Sequence, residues 1–134
     1  MSIGLLIITH NRLGADLLET ATSMLERLPL QARVMSIAQD SDMDAMLADA
    51  QRLANDVRGP GGLLVLTDAY GSTPSNIANR LRDMEQVEVV AGINLPMLIR
   101  IFNYPGLPLD EMARAAAAGG RAGVLLCGDG DARG

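Results

Sequence analysis

The sequence predicts an α/β fold: a doubly wound, mostly parallel sheet with helices on both faces. Two observations carry that expectation. Ile3 to Ile8 and Leu63 to Leu66 are short apolar runs, the first interrupted only by Gly4. A run apolar at every position, rather than at alternate ones, suits a strand buried on both faces. Between such runs lie longer segments whose apolar residues recur at spacings of three and four, as in helices with one buried stripe. Strands alternating with helices imply βαβ units, parallel pairing and right-handed crossovers.

The elements follow in order. The strand that opens the chain stops at Thr9-His10-Asn11, and a helix is expected from about Gly14 to Leu28. Leu17, Leu18, Ala21, Met24, Leu25 and Leu28 form its apolar face, and Pro29 marks its exit. A second strand spans about Ala32 to Ile37. Ser41 reads as the N-cap of a second helix, with Asp42 and Asp44 in its first turn. Met43, Met46, Leu47, Ala50, Leu53, Ala54 and Val57 line its inner face, and Gly59-Pro60-Gly61-Gly62 closes it.

The third strand, Leu63 to Leu66, ends at Thr67-Asp68. A small-residue loop, Ala69 to Asn76, contains Thr73-Pro74, read as the N-cap and first residue of a short helix with Ile77, Leu81 and Met84 inward. Val87 to Ile93 is a fourth strand. Asn94-Leu95-Pro96 opens a helix that Tyr104-Pro105-Gly106-Leu107-Pro108 breaks. Leu109 to Ala118 is an alanine-rich helix ended by Gly119-Gly120, and Ala122 to Cys127 is expected to be a fifth strand. The Gly/Asp-rich tail from Gly128 to Gly134 is expected to fray.

Composition narrows the class. The length of 134 residues suits a single domain. Aromatic residues are 2%, so the core must be built from Leu, Ile, Val, Met and Ala. The net charge of −5, without a basic cluster, argues against nucleic acid or an anionic membrane as partner. No apolar run approaches the roughly 20 residues of a membrane span, and the N-terminus lacks a basic leader. A single cysteine, Cys127, excludes an internal disulfide framework; late in an apolar strand, it reads as packed. The expectation is a cytoplasmic protein.

In a doubly wound sheet of this size the common strand order places strand 1 beside strand 3, with strand 2 outside strand 1. The switch point then falls between the C-terminal ends of strands 1 and 3, where open sheets bind their ligands. Those ends carry His10, the only histidine, and Asp68.

His10 has three readings: a packed or surface histidine, a metal ligand, or a nucleophile or base. It has no Cys partner and no second His at ligand spacing, which disfavours the metal. A neutral imidazole is a competent nucleophile near pH 7, and a carboxylate such as Asp68 can fix its tautomer. The loop at Gly71, Ser72 and Thr73 opens a helix and is a candidate phosphate cradle; its plainer reading is an ordinary capped loop. Nucleotide fingerprints are absent. Arg12 reads as a solvated charge. Together these residues suggest transient phosphorylation of His10, a chemistry of positioning and charge stabilisation that needs no cofactor.

Three motifs, Thr9-His10, Leu66 to Asn76 and Val89 to Leu98, resemble in order and spacing the mannose-family enzyme IIA of the bacterial sugar phosphotransferase system. The resemblance implies that His10 is the phosphorylated histidine, Asp68 its partner and Thr73 the hydroxyl residue of the loop. It implies a phosphocarrier charged by the histidine phosphocarrier protein and discharged to a IIB component. It also implies a homodimer whose final, antiparallel strand is exchanged between subunits. Asn11 and Ser72 stand where the family usually has glycine. No linker or IIB domain follows within residues 1–134, so a stand-alone IIA domain is expected. Two alternatives fit the same residues: a regulatory module whose partners depend on the phosphorylation state of His10, and the phosphodonor subunit of dihydroxyacetone kinase.

Overall fold

A computed structural model describes residues 2–128. Its four strands form one sheet: β1 (Gly4–His10), β2 (Gln31–Ile37), β3 (Leu63–Thr67) and β4 (Val87–Ala91). The order is β2-β1-β3-β4 and every pairing is parallel, so the expected arrangement is observed. β1 is buried from Gly4 to Thr9 and β3 over its whole length, as their unbroken apolar runs require.

Alternate residues of the central strands feed two cores. Leu5, Ile7, Leu64 and Leu66 pack on one face against α1 (Leu13–Leu25), α4 (Leu95–Asn103) and α5 (Leu109–Ala122). Leu6, Ile8, Leu63 and Val65 pack on the other against α2 (Met43–Val57) and α3 (Thr73–Arg80). Gly4 permits the second packing: a Cβ there would lie 1.9 Å from the Val57 carbonyl oxygen at the end of α2. Among the described residues no helix is long and apolar enough to cross a membrane.

Several boundaries differ from expectation, each for a local reason. α1 stops at Leu25 because Glu26 turns left-handed (φ 55°), which puts Leu28 beyond the helix; Leu28 and Met24, both expected inward, are exposed. The N-cap of α2 is Asp42, whose carboxylate accepts the Ala45 N–H; the Ser41 hydroxyl instead donates to Ala38. α3 starts one residue early, with Ser72 as N-cap and Thr73 in the first turn beside Pro74. β4 ends at Ala91, where Gly92 turns away at φ 94°.

The largest correction is at the C-terminal end. Gly119-Gly120 do not end α5. A Cβ at Gly119 would lie 2.7 Å from the Arg100 Cβ, and one at Gly120 2.9 Å from the Met97 Cε, so these glycines let α5 lie against α4. The helix runs on to Ala122. The segment expected as a fifth strand forms none in the single chain: Val124, Leu125 and Leu126 are more than three-quarters exposed, and Cys127 is exposed rather than packed. Beyond Gly128, the expected frayed tail lies outside the described residues.

Candidate functional site

His10 is the last residue of β1. It lies on the sheet face that carries Leu6 and Ile8, toward α2 and α3. The turn after it is held from both sides. The Thr9 hydroxyl, buried on the opposite face, accepts the Gly14 N–H at 2.8 Å and so clasps the end of β1 to the start of α1. Asn11 takes φ 48°, and its N–H donates to the Ile37 carbonyl at 3.0 Å.

Asp68 follows β3 directly. The backbone behind it is fixed by the β4 turn: the Gly92 N–H donates to the carbonyls of both Thr67 and Asp68, at 2.9 and 2.8 Å. The strand order brings this carboxylate to the histidine. His10 Nδ1 lies 2.7 Å from Asp68 Oδ2, which also accepts the His10 backbone N–H at 2.9 Å. Oδ1 accepts the Ala69 N–H at 2.9 Å. The Asp68 side chain is 10% exposed and that of His10 49%. Burial alone would raise the Asp68 carboxyl, but the hydrogen bonds from His10 and Ala69 and the His10 charge outweigh it. The pKa is held below its ordinary 3.8.

An ionised carboxylate accepts and cannot donate. Nδ1 of His10 therefore carries a proton, and in the neutral imidazole the lone pair is on Nε2. His10 opens onto a cavity of about 820 Å³ whose other walls include Asn11, Thr73 and the loop after β2, Ala38 to Ser41. Among the described residues its lining holds no Arg, and the chain has no Lys. Arg12 is engaged outside it, 3.3 Å from Asp16.

The expected cradle divides. Thr73 lines the cavity with His10. Gly71 and Ser72 do not: the Gly71 N–H donates to Ser75 Oγ at 3.3 Å, and both the N–H and the hydroxyl of Ser72 donate to the Ala69 carbonyl. Because the Ser72 hydroxyl turns back, it does not cap α3. The amide of Thr73 is left among the unpaired donors of a helix start, where the dipole favours an anion. No group of three His, Cys, Asp or Glu side chains among the described residues is placed to hold a metal ion.

Sequence reasoning missed the wall after β2. The signal was available: β2 is the other neighbour of β1, so its C-terminal loop must also border the crevice. It also missed the Thr9 clasp, because a buried threonine at a strand end looks like any β-former.

Comparison with known proteins places this chain in a family. Residues 4–114 match the EIIA-man model, described as the phosphotransferase system fructose IIA component. The mannose-specific EIIAB component of Escherichia coli K12 is 30% identical over 129 residues, covering 92% of this chain and 39% of that protein. This chain thus spans well under half the length of that relative. Among solved structures, the mannose/sorbose-specific IIA subunit from Enterococcus faecalis superposes with a TM-score of 0.82 at 26% identity, covering 94% of this chain and 95% of that one. The phosphotransferase system component EIIA from Streptococcus agalactiae, 18% identical with a TM-score of 0.79 over 92% and 95%, shares the fold. With a family model matched over residues 4–114 and the same α/β fold in solved IIA structures, the chain belongs to the mannose-type enzyme IIA family of the phosphotransferase system.

Proposed function

We propose that the protein is a phosphocarrier: His10 accepts a phosphoryl group on Nε2 from the histidine phosphocarrier protein and passes it to a IIB component. The observation that carries this reading is the 2.7 Å contact between His10 Nδ1 and Asp68 Oδ2, which selects the neutral tautomer with its lone pair on Nε2 in a residue that lines the cavity. The Nε2 lone pair attacks the phosphorus of a donor phosphohistidine. The new N–P bond forms as the donor's N–P bond breaks, and the bonding pair returns to the donor ring. The proton on Nδ1 stays where it is, so no proton changes hands. Positive charge develops on the His10 ring, and the Asp68 carboxylate offsets it. Thr73, through its hydroxyl and the amide at the start of α3, receives phosphoryl oxygens. Gly71 and Ser72 shape the loop rather than contact the group. Onward transfer reverses these steps against the acceptor's nucleophile.

The same reading includes the homodimer: the exposed Val124-Leu125-Leu126 segment of each chain would pair with the edge of the other's sheet. The test of the carrier chemistry is phosphorylation with phosphoenolpyruvate, enzyme I and the histidine phosphocarrier protein, read by intact mass. One acid-labile phosphate on wild type and none on His10→Ala is expected. Phosphate on the variant, or none on a folded wild type, overturns the reading.

A further inference from the structure

One residue of the cavity has a geometry that transfer through His10, Asp68 and Thr73 does not use. Asn11 lies next to His10, its Cα about 3.8 Å away across a trans peptide. It lines the same cavity and is exposed. Its φ of 48° is one that asparagine tolerates and glycine takes more readily. The backbone bond to Ile37 fixes the turn without help from the side chain. Among the described residues the Asn11 carboxamide has no hydrogen-bond partner. A polar side chain held beside the nucleophile in a backbone conformation better suited to glycine, with its donors unspent, points to a ligand.

The cavity's charge sharpens the point. Among the described residues, the one ionisable residue in its lining apart from His10 is Asp40. A phosphoryl group arriving on Nε2 therefore meets no guanidinium among those lining residues and is held there by neutral donors. On the far wall the Ser41 hydroxyl is already given to the Ala38 carbonyl.

Resting on the phosphocarrier reading, we propose that the Asn11 carboxamide donates a hydrogen bond to a phosphoryl oxygen on His10 Nε2. It is a catalytic residue that touches the transferred group. The bond changes are those of the transfer itself: N–P forms at Nε2 as the donor's N–P breaks, and the Asn11 NH₂ keeps its protons throughout. A carboxamide N–H donating to the anionic phosphoryl oxygen makes a charge-assisted hydrogen bond without the net ion-pair attraction that a guanidinium would add. It thus steadies the incoming group without the full hold of an ion pair, as a carrier that must also release it requires.

Two variants test this. Asn11→Gly removes the carboxamide and suits the left-handed turn, so its thermal midpoint should equal or exceed that of wild type. Asn11→Asp keeps the shape and turns a carboxylate toward the phosphoryl oxygens. Each is phosphorylated first with phosphoramidate, a small donor that needs no partner protein, and then with the phosphorylated histidine phosphocarrier protein. Initial rate and equilibrium phosphorylated fraction are read by mass. For Asn11→Gly both the rate and the equilibrium constant should fall by about threefold to tenfold with either donor. For Asn11→Asp both should fall further. Wild-type rate and equilibrium in either variant overturn the inference and leave the carrier reading standing. A wild type that takes no phosphate from either donor overturns both.

Discussion

At the scale of the residue, the site depends on what one carboxylate does to one imidazole. Asp68 receives three hydrogen bonds, two from His10 and one from Ala69. Asp68→Asn keeps an oxygen that can accept from Nδ1 but loses the charge that offsets the developing imidazolium. Hydrogen bonds to charged groups exceed neutral ones by about 1 kcal/mol, so phosphoryl transfer should slow by about fivefold with the fold retained. Rapid-quench kinetics would check this, and an unchanged rate would remove Asp68 from the mechanism. The pKa adds a prediction of defined sign. The folded carboxyl titrates below 3.8, so as pH falls through this region the unfolded chain takes up protons first. The stability tied to Asp68 ionisation is therefore complete above 3.8 and is lost as pH falls through the lowered folded value. The difference in unfolding free energy between wild type and Asp68→Asn should hold steady just above that region and shrink below it. A difference that grows there would contradict the sign. His10 and Asp68 were both legible in the sequence because strand ends at a switch point are few. The ring contact between them was expected too, but the backbone donors that His10 and Ala69 add to Asp68 were not, since they depend on a pairing register that no local pattern records.

At the scale of the element, the site is built by short connections, and these decide how firmly His10 is held. The Thr9 clasp is the clearest: its hydroxyl is the acceptor for the buried N–H of Gly14, where a Cβ would lie 2.6 Å from the Ile7 Cγ2. α1 therefore starts hard against β1. Thr9→Val preserves shape and strands that N–H. It should destabilise the fold by about 1–3 kcal/mol in urea denaturation and slow transfer through a looser His10 turn. A loss below about 0.5 kcal/mol would mean that water or a shift of α1 satisfies the amide. The same scale shows where reading by pattern stops. Periodicity located each of these helices and strands, yet their ends follow from competing hydrogen bonds. Asp42 rather than Ser41 caps α2, because the serine hydroxyl finds the Ala38 carbonyl. Ser72 turns to Ala69, which moves the start of α3 and takes the donors of Gly71 and Ser72 out of the expected cradle. Gly119-Gly120, read as a stop, serve instead as a seat for α4, a role visible only once the partner helix is present.

At the scale of the whole molecule, the doubly wound sheet was legible because each central strand announces its two buried faces. The C-terminal segment was not, because an apolar run reads as a strand whether or not the chain offers it an edge to pair with. Order β2-β1-β3-β4 leaves β4 as an edge, with Val89 and Val90 only partly buried. Near that edge, Val124 borders a cavity with Ala91, Gly92 and Met97, and Leu125 and Leu126 follow it at 78% and 79% exposure. An unpaired edge beside an exposed apolar run invites a second chain. Exchange of this segment would satisfy both at once, with the apolar residues of each copy against the sheet of the other. Fully burying a leucine is worth about 1.5–3 kcal/mol, and Leu125 and Leu126 occur twice per dimer, so about 6–12 kcal/mol rests on them. A micromolar dimer is held by about 8 kcal/mol. The double variant Leu125→Asp, Leu126→Asp should therefore sediment as a 14.2 kDa monomer at micromolar concentration, while wild type sediments at twice that mass. Because neither leucine belongs to either core of the single chain, circular dichroism and thermal unfolding of the variant should still report an intact fold. A monomeric wild type, or a variant that stays dimeric, would refute the exchange. The variant also separates assembly from chemistry. His10, Asp68, Thr73 and the wall after β2 all come from one chain, so the folded monomer should still accept phosphate from phosphoramidate at the wild-type rate.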